Sequence, residues 1–194
     1  MDADKLIRHK LRIKPGDSLP FTGWHNATRQ DLAQVFADLN YMRGAEIGVA
    51  EGRYSEVLLR TVPGLELLCI DPWIAYERIS QELCDGRYRQ AVERLTPYAI
   101  TFMRMPSMDA VREILEESLD FVYIDGRHEF DWVMLDIIEW SKRVRKGGIV
   151  SGHDFFHFYR AGVVDAVLAY TRAHNIAQWY ITKEKEASWL WVKT

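Results

Sequence analysis

From residue 45 onward, short and nearly continuous apolar runs alternate with longer stretches of helical periodicity. The runs are Ala45–Val49, Leu65–Ile70, Ile100–Met105, Leu119–Ile124 and Gly148–Ser151. Apolar runs without polar alternation belong to strands covered on both faces, as in a parallel sheet. The clearest helical stretch places Phe130, Val133, Met134, Ile137, Ile138 and Val144 on one face. Strands separated by helices in this way predict right-handed βαβ units in a doubly wound α/β sheet. Two further strand candidates, Trp179–Thr182 and Ser188–Val192, flank Lys183-Glu184-Lys185-Glu186. That charged connection is too short for a crossover, so the last pair must be antiparallel. The pattern therefore predicts a mostly parallel, seven-stranded sheet closed by an antiparallel C-terminal hairpin.

The first 40 residues read differently, as an N-terminal extension plus one helix. Pro15-Gly16-Asp17-Ser18 is a turn cluster, and Pro20 and Gly23 interrupt the chain again. Thr28 followed by Asp31 makes a capping-box-like start for a helix carrying Leu32, Val35, Phe36 and Leu39. We accordingly divide the chain into a cap at 1–40 and the main α/β unit at 41–194, parts of one domain.

Composition narrows the class. With 48% hydrophobic and 27% charged residues the chain is a globular protein with a real core. No apolar run approaches the roughly 20 residues that cross a bilayer, and no signal-peptide core is visible. Two cysteines, Cys69 and Cys84, make neither a disulfide framework nor a zinc knuckle. The cysteine usage makes a reducing cytoplasmic setting the expectation, without a membrane partner, and the net charge of -3 argues against a nucleic-acid partner. Lys5, Arg8, Lys10, Arg12 and Lys14 form a local basic arm, read as solvated. A homo-oligomer stays open.

The candidate chemistry sits at strand ends. In Glu46-Ile47-Gly48-Val49-Ala50-Glu51-Gly52-Arg53-Tyr54-Ser55 a strand delivers an acid and two glycines, and Ser55 opens a helix. Glycines let a ligand approach the backbone, and the helix start offers free N–H groups. Dinucleotide sites use G-x-G-x-x-G to seat a pyrophosphate, whereas this turn is G-x-x-x-G behind an acid. A carboxylate there repels a pyrophosphate and suits a cationic ligand such as S-adenosylmethionine. Asp71 ends the next apolar run, where an acid commonly holds a ribose, and Trp73 is either a purine platform or a core residue. Farther on, Ile124-Asp125-Gly126-Arg127-His128 and Ser151-Gly152-His153-Asp154-Phe155 end neighbouring strands. Asp125, His128, His153 and Asp154 should thus surround one crevice, able to hold a divalent cation or to move a proton. Arg127 is a candidate for an anionic substrate group, or a solvated arginine.

Residues 45–155 resemble small class I S-adenosylmethionine-dependent methyltransferases of the Methyltransf_24 type, relatives of macrocin O-methyltransferase and cephalosporin-hydroxylase-like groups. The shared stretches are E-I-G-x-x-x-G-x-x-S, I-D-P-W, S-M-D-A at 107–110, D-G-R-H-x-x-x-x-V-x-x-D and G-G-x-x-x-G-H-D-F. The resemblance implies a Rossmann-like domain that binds S-adenosylmethionine. It implies that Glu46, Gly48 and Gly52 line the methionine end and that Asp71 binds the ribose, with Ser55 and Trp73 also among the cofactor-binding residues. Ser107 and Asp109 would lie near the adenine, with Asp125 beside the cofactor. It further implies His128 as general base aided by Asp125 and Asp154, and Asp125, His153 and Asp154 as ligands of magnesium or manganese. His153 stands where metal-dependent relatives carry an acid, so either a softer metal binds or none does. The acceptor would be a small molecule, a hydroxyl of a sugar or phenol, lined by residues 1–40, 73–90 and 155–162. Trp24, His25, Phe155, Phe156, His157, Phe158 and Tyr159 supply an aromatic lining there. Rival readings are a nicotinamide dehydrogenase, a metal-dependent hydrolase using His153-Asp154, and a non-catalytic cofactor-binding module.

Overall fold

A computed structural model describes residues 2–10, 12–14, 20–21, 27–76, 79–158 and 161–194. The Pro15–Ser18 cluster, Gly23, Trp24, His25 and Tyr159 lie outside the described residues. Elements follow the order α1 (Ala3–Lys10), α2 (Arg29–Asp38), β1 (Arg43–Ile47), α3 (Arg53–Thr61), β2 (Glu66–Ile70), α4 (Gln81–Leu95) and β3 (Ile100–Met103). Then come α5 (Ser107–Ala110), a short 3-10 turn, β4 (Leu119–Ile124), α6 (Phe130–Arg143), β5 (Val144–Gly152), α7 (Val163–Ala173), β6 (Tyr180–Ile181) and β7 (Trp189–Val192).

The seven strands lie in the order β3-β2-β1-β4-β5-β7-β6. The pairs β1–β2, β1–β4, β2–β3 and β4–β5 are parallel, and β7 runs antiparallel to both β5 and β6. This is the Rossmann-like doubly wound sheet with its antiparallel C-terminal hairpin that the apolar runs predict. The winding reverses between β1 and β4, and that reversal opens a crevice beyond the strands' C-terminal ends.

Both faces are covered, which is why the strands lack polar alternation. Phe121 and Tyr123 of β4 join the side chains of α1 to α4, while Val122 and Ile124 join those of α5 to α7. On α6 the buried ridge is Val133, Ile137 and Trp140. Phe130 is 40% exposed instead of facing the core, and Val144 already belongs to β5. The apolar series ran past the helix because strand and helix meet there without a loop.

The N-terminal region differs most from the sequence reading. Among the described residues it contains two helices, and the basic helix α1 is docked rather than solvated. Leu6 and Ile7 are buried in the core, Lys10 pairs with Asp38 at 2.5 Å, and Arg8 lies over the Phe21 ring. Ala3, Leu6 and Ile7, spaced i, i+3 and i+4, make one buried face within a run of charges, enough to anchor the helix. Thr28 caps α2 through the expected box, with Asp31 accepting the Thr28 backbone N–H at 2.9 Å. No helix among the described residues is long and apolar enough to cross a membrane.

Candidate active site

Three strand ends are laced together at the crevice floor. The Gly48 N–H donates to the Ile70 carbonyl at 2.8 Å, Asp125 N–H to Ile47 at 2.8 Å, and His153 N–H to Ile124 at 3.0 Å. Gly48 has φ +89°, and a Cβ there would stand 2.0 Å from the Asp125 carbonyl oxygen, so no other residue fits. Gly52 caps α3 with φ +74° and gives its first turn no side-chain acceptor.

Beneath the turn, Glu46 is fully enclosed and accepts a short hydrogen bond from the Ser55 hydroxyl. Ser55 therefore supports Glu46 from behind. Burial pushes the Glu46 carboxyl up to about 8 against the pull of that bond. Asp71 holds the neighbouring wall: one oxygen accepts the Ala50 N–H at 3.0 Å and the other the Trp73 N–H at 2.8 Å. Burial raises its pKa while those two bonds oppose the shift.

The polar centre gathers Asp125, His128, His153 and Asp154, as the strand positions predict. His128 Nε2 lies 2.9 Å from Asp154 Oδ2 and 3.9 Å from Asp125 Oδ1. His153 Nδ1 lies 3.3 Å from Asp154 Oδ1 and 3.6 Å from Asp125 Oδ2. The closest of these contacts is off the hydrogen-bond axis, which leaves the buried His128 Nε2 without an aligned acceptor among the described residues. Burial alone would depress both imidazoles, but the two carboxylates outweigh it and lift each to about 9. Burial likewise opposes ionisation of Asp154, yet the imidazoles hold it below the carboxylate range. Asp154 adopts φ +58°, a left-handed conformation that aspartate tolerates, and the Gly162 N–H fixes the His128 carbonyl at 2.7 Å. Donor atoms of Asp125, His128 and Asp154 fall within 4.8 Å of one another, as do those of His153, Asp154 and Glu186.

A family profile described as a methyltransferase domain, Methyltransf_24, matches residues 45–155. The chain belongs to that methyltransferase family. Among solved structures, the O-methyltransferase from Bacillus cereus in complex with SAH is similar at 15% identity, with 97% of this chain and 88% of that one covered at TM-score 0.63. TomG from Streptomyces achromogenes, an O-methyltransferase in complex with SAM, shows 17% identity, 100% and 91% coverage and TM-score 0.60. An rRNA methylase from Streptococcus thermophilus shows 13% identity, 85% and 93% coverage and TM-score 0.60. At these identities the neighbours establish the fold and leave the acceptor open. No curated protein matches the chain.

Other sequence-predicted residues of this methyltransferase lie farther back. Trp73 is 2% exposed, between Tyr88 and Phe102, with its indole N–H donating to the Ala50 carbonyl at 2.9 Å. It is the core tryptophan of the two alternatives, not a purine platform, because neither ring face is free. Ser107 donates to Asp136 and accepts the Trp140 indole N–H at 2.7 Å, so its hydroxyl is engaged within the protein. Asp109 is exposed and pairs with Arg112 at 3.3 Å. Arg127 pairs with Glu129 and lies over the Trp132 ring. Of the aromatic lining, Phe158 meets the His128 ring edge-on at 5.4 Å and stacks with Phe156, while Phe155 packs on Trp179.

Sequence reasoning missed two side chains. Asp136 belongs to the quoted D-G-R-H-x-x-x-x-V-x-x-D stretch, and burial raises it to about 6 against its Ser107 bond. Arg29 comes from α2, far away in sequence, with Nη1 3.8 Å from Asp125 Oδ2. No local motif marks it.

Proposed function

We propose that this methyltransferase transfers the methyl group of S-adenosylmethionine to an oxygen of a small polar acceptor, a sugar or phenolic hydroxyl. The observation carrying the reading is the meeting of Asp125, His128, His153 and Asp154 beside the Gly48–Gly52 turn. The turn fits the cofactor: a Cβ at Gly48 would fill the cradle, and a bound cation would draw the enclosed Glu46 carboxyl, raised by burial, toward ionisation. Glu46, Gly48, Gly52 and Ser55 are assigned to its methionine end, Asp71 to the ribose, and the loop bearing Ser107 and Asp109 to the adenine side. When bound, the sulfonium supplies an electrophilic methyl carbon.

His128 is the proton acceptor in this reading, being the more exposed imidazole and within reach of an acceptor hydroxyl lying along Phe158. Asp125 and Asp154 orient it and balance the charge it gains. The donor set also fits a divalent cation, because buried His128 Nε2 lacks an aligned partner among three converging carboxylate and imidazole groups. Asp125, His153 and Asp154 would hold it, with His128 or Glu186 at the margin. Two imidazoles favour manganese or zinc over magnesium. Such an ion would draw a hydroxyl proton toward ionisation.

Two measurements on one variant test this. His128→Ala should bind S-adenosylhomocysteine within a few-fold of the parent by calorimetry. Its release of S-adenosylhomocysteine across a panel of phenols and sugars should fall by about 10²–10⁴-fold. Full turnover in the variant would remove His128 as the base. Cofactor binding with no methylated product from any acceptor, even in the parent chain, would favour the non-catalytic module.

A further inference from the structure

We propose that Arg29 binds the α-carboxylate at the amino-acid end of the cofactor; the assignment rests on the S-adenosylmethionine reading. The backbone of Arg29 is fixed from three sides. Its N–H donates to Glu184 at 2.8 Å, its carbonyl accepts the Tyr54 hydroxyl at 2.9 Å, and the Thr28–Asp31 capping box encloses it.

The side chain is aimed but not consumed. Its guanidinium lies over the Tyr54 ring at 5.1 Å, above the first turn of α3, and is 35% exposed. It faces Tyr123 and Asp125, and the Asp125 contact at 3.8 Å is an ion pair beyond hydrogen-bond range. A guanidinium has five N–H donors in a planar fork that matches a carboxylate bidentately; among the described residues Tyr123 takes part of this one's hydrogen-bonding capacity and Asp125 stands at 3.8 Å.

Charge at this end of the crevice identifies the ligand group. Glu46, Asp71 and Asp125 are all acids, and Arg29 is the cation whose field reaches Glu46. An amino-acid end is a zwitterion: its ammonium suits the acids, while its carboxylate would be repelled unless a cation faced it. Arg29 supplies that cation beside the turn that Glu46 underlies. A carboxylate on the acceptor would satisfy the same fork, and the experiment separates the two sources.

Calorimetry with S-adenosylhomocysteine and with 5′-methylthioadenosine, which lacks the amino-acid end, reads the contact directly. Arg29→Ala should weaken S-adenosylhomocysteine about 10–100-fold and leave 5′-methylthioadenosine within about two-fold, the scale of a charge-assisted pair. Arg29→Lys, which keeps the charge and loses the fork, should fall between. Equal weakening of both ligands would make Arg29 a structural prop and overturn the proposal. Unchanged S-adenosylhomocysteine affinity in Arg29→Ala would overturn it too, and would turn attention to an anionic acceptor. If the parent chain bound neither ligand, the cofactor reading itself would fall.

Discussion

His128 and Asp154 face each other across the crevice at 2.9 Å, one from the loop after β4 and the other from the end of β5. Against the opposing effect of burial, Asp125 and Asp154 together raise the imidazole to about 9. A protonated imidazole cannot accept an acceptor's proton, so below that pH the neutral fraction, and with it kcat/KM, should rise about tenfold per pH unit. Asp154→Asn removes one carboxylate and should move the midpoint of the cation-free enzyme down by about one pH unit or more. A pH–rate profile unmoved by the substitution would exclude His128 as the titrating base.

Glu46 links stability to pH with a definite sign. Its folded pKa, about 8, lies above that of an unfolded glutamate, so the folded chain holds the extra proton. This contribution is fully present below roughly pH 4.5 and is lost as pH rises through about 8. Glu46→Gln cannot ionise, so its melting temperature relative to the parent should climb between pH 5 and 8. The difference should reach the order of a few kcal/mol. A constant difference across that window would mean that Glu46 is already charged.

Ser107 joins two buried groups that have opposite needs. Its hydroxyl donates to Asp136 and accepts from the Trp140 indole. Ser107→Ala strands both, and chemical denaturation should report a loss of about 1–3 kcal/mol. A loss below about 0.5 kcal/mol would show that water replaces the hydroxyl.

Cation choice can be read without turnover. Added manganese or zinc should raise the melting temperature by several degrees where magnesium does little, and His153→Asp should reverse that order. Equal responses to all three ions in both proteins would mean that the donor set does not discriminate.

The sheet was legible because its strands are buried on both faces, which writes a run of apolar residues into each one. The glycine turn and the four polar groups were legible for a related reason: in a doubly wound sheet the residue after each strand faces the crevice. What escaped is what depends on distant segments. Trp73 looked available until Tyr88 and Phe102, from α4 and β3, closed on its ring. Ser107, expected near the adenine, has its hydroxyl engaged by Asp136 and Trp140 of α6. Arg29 acquires its meaning only when α2 packs beside α3, and the docking of α1 rests on Leu6 and Ile7 meeting a core built by later residues.

The seam between the segment leading into α2 and the C-terminal hairpin sets an order of events. Phe21 bridges Tyr180, the Lys183 N–H donates to the Ala27 carbonyl at 2.9 Å, and Glu184 takes the Arg29 N–H. The hairpin is synthesised after everything it braces. A nascent chain that has emerged through Asp154, just past β5, already owns the glycine turn and the residues of the polar centre, but Arg29 lacks the Glu184 acceptor for its backbone N–H. Ligand competence should therefore arrive late and in a single step during synthesis, when β6 and β7 add to the sheet.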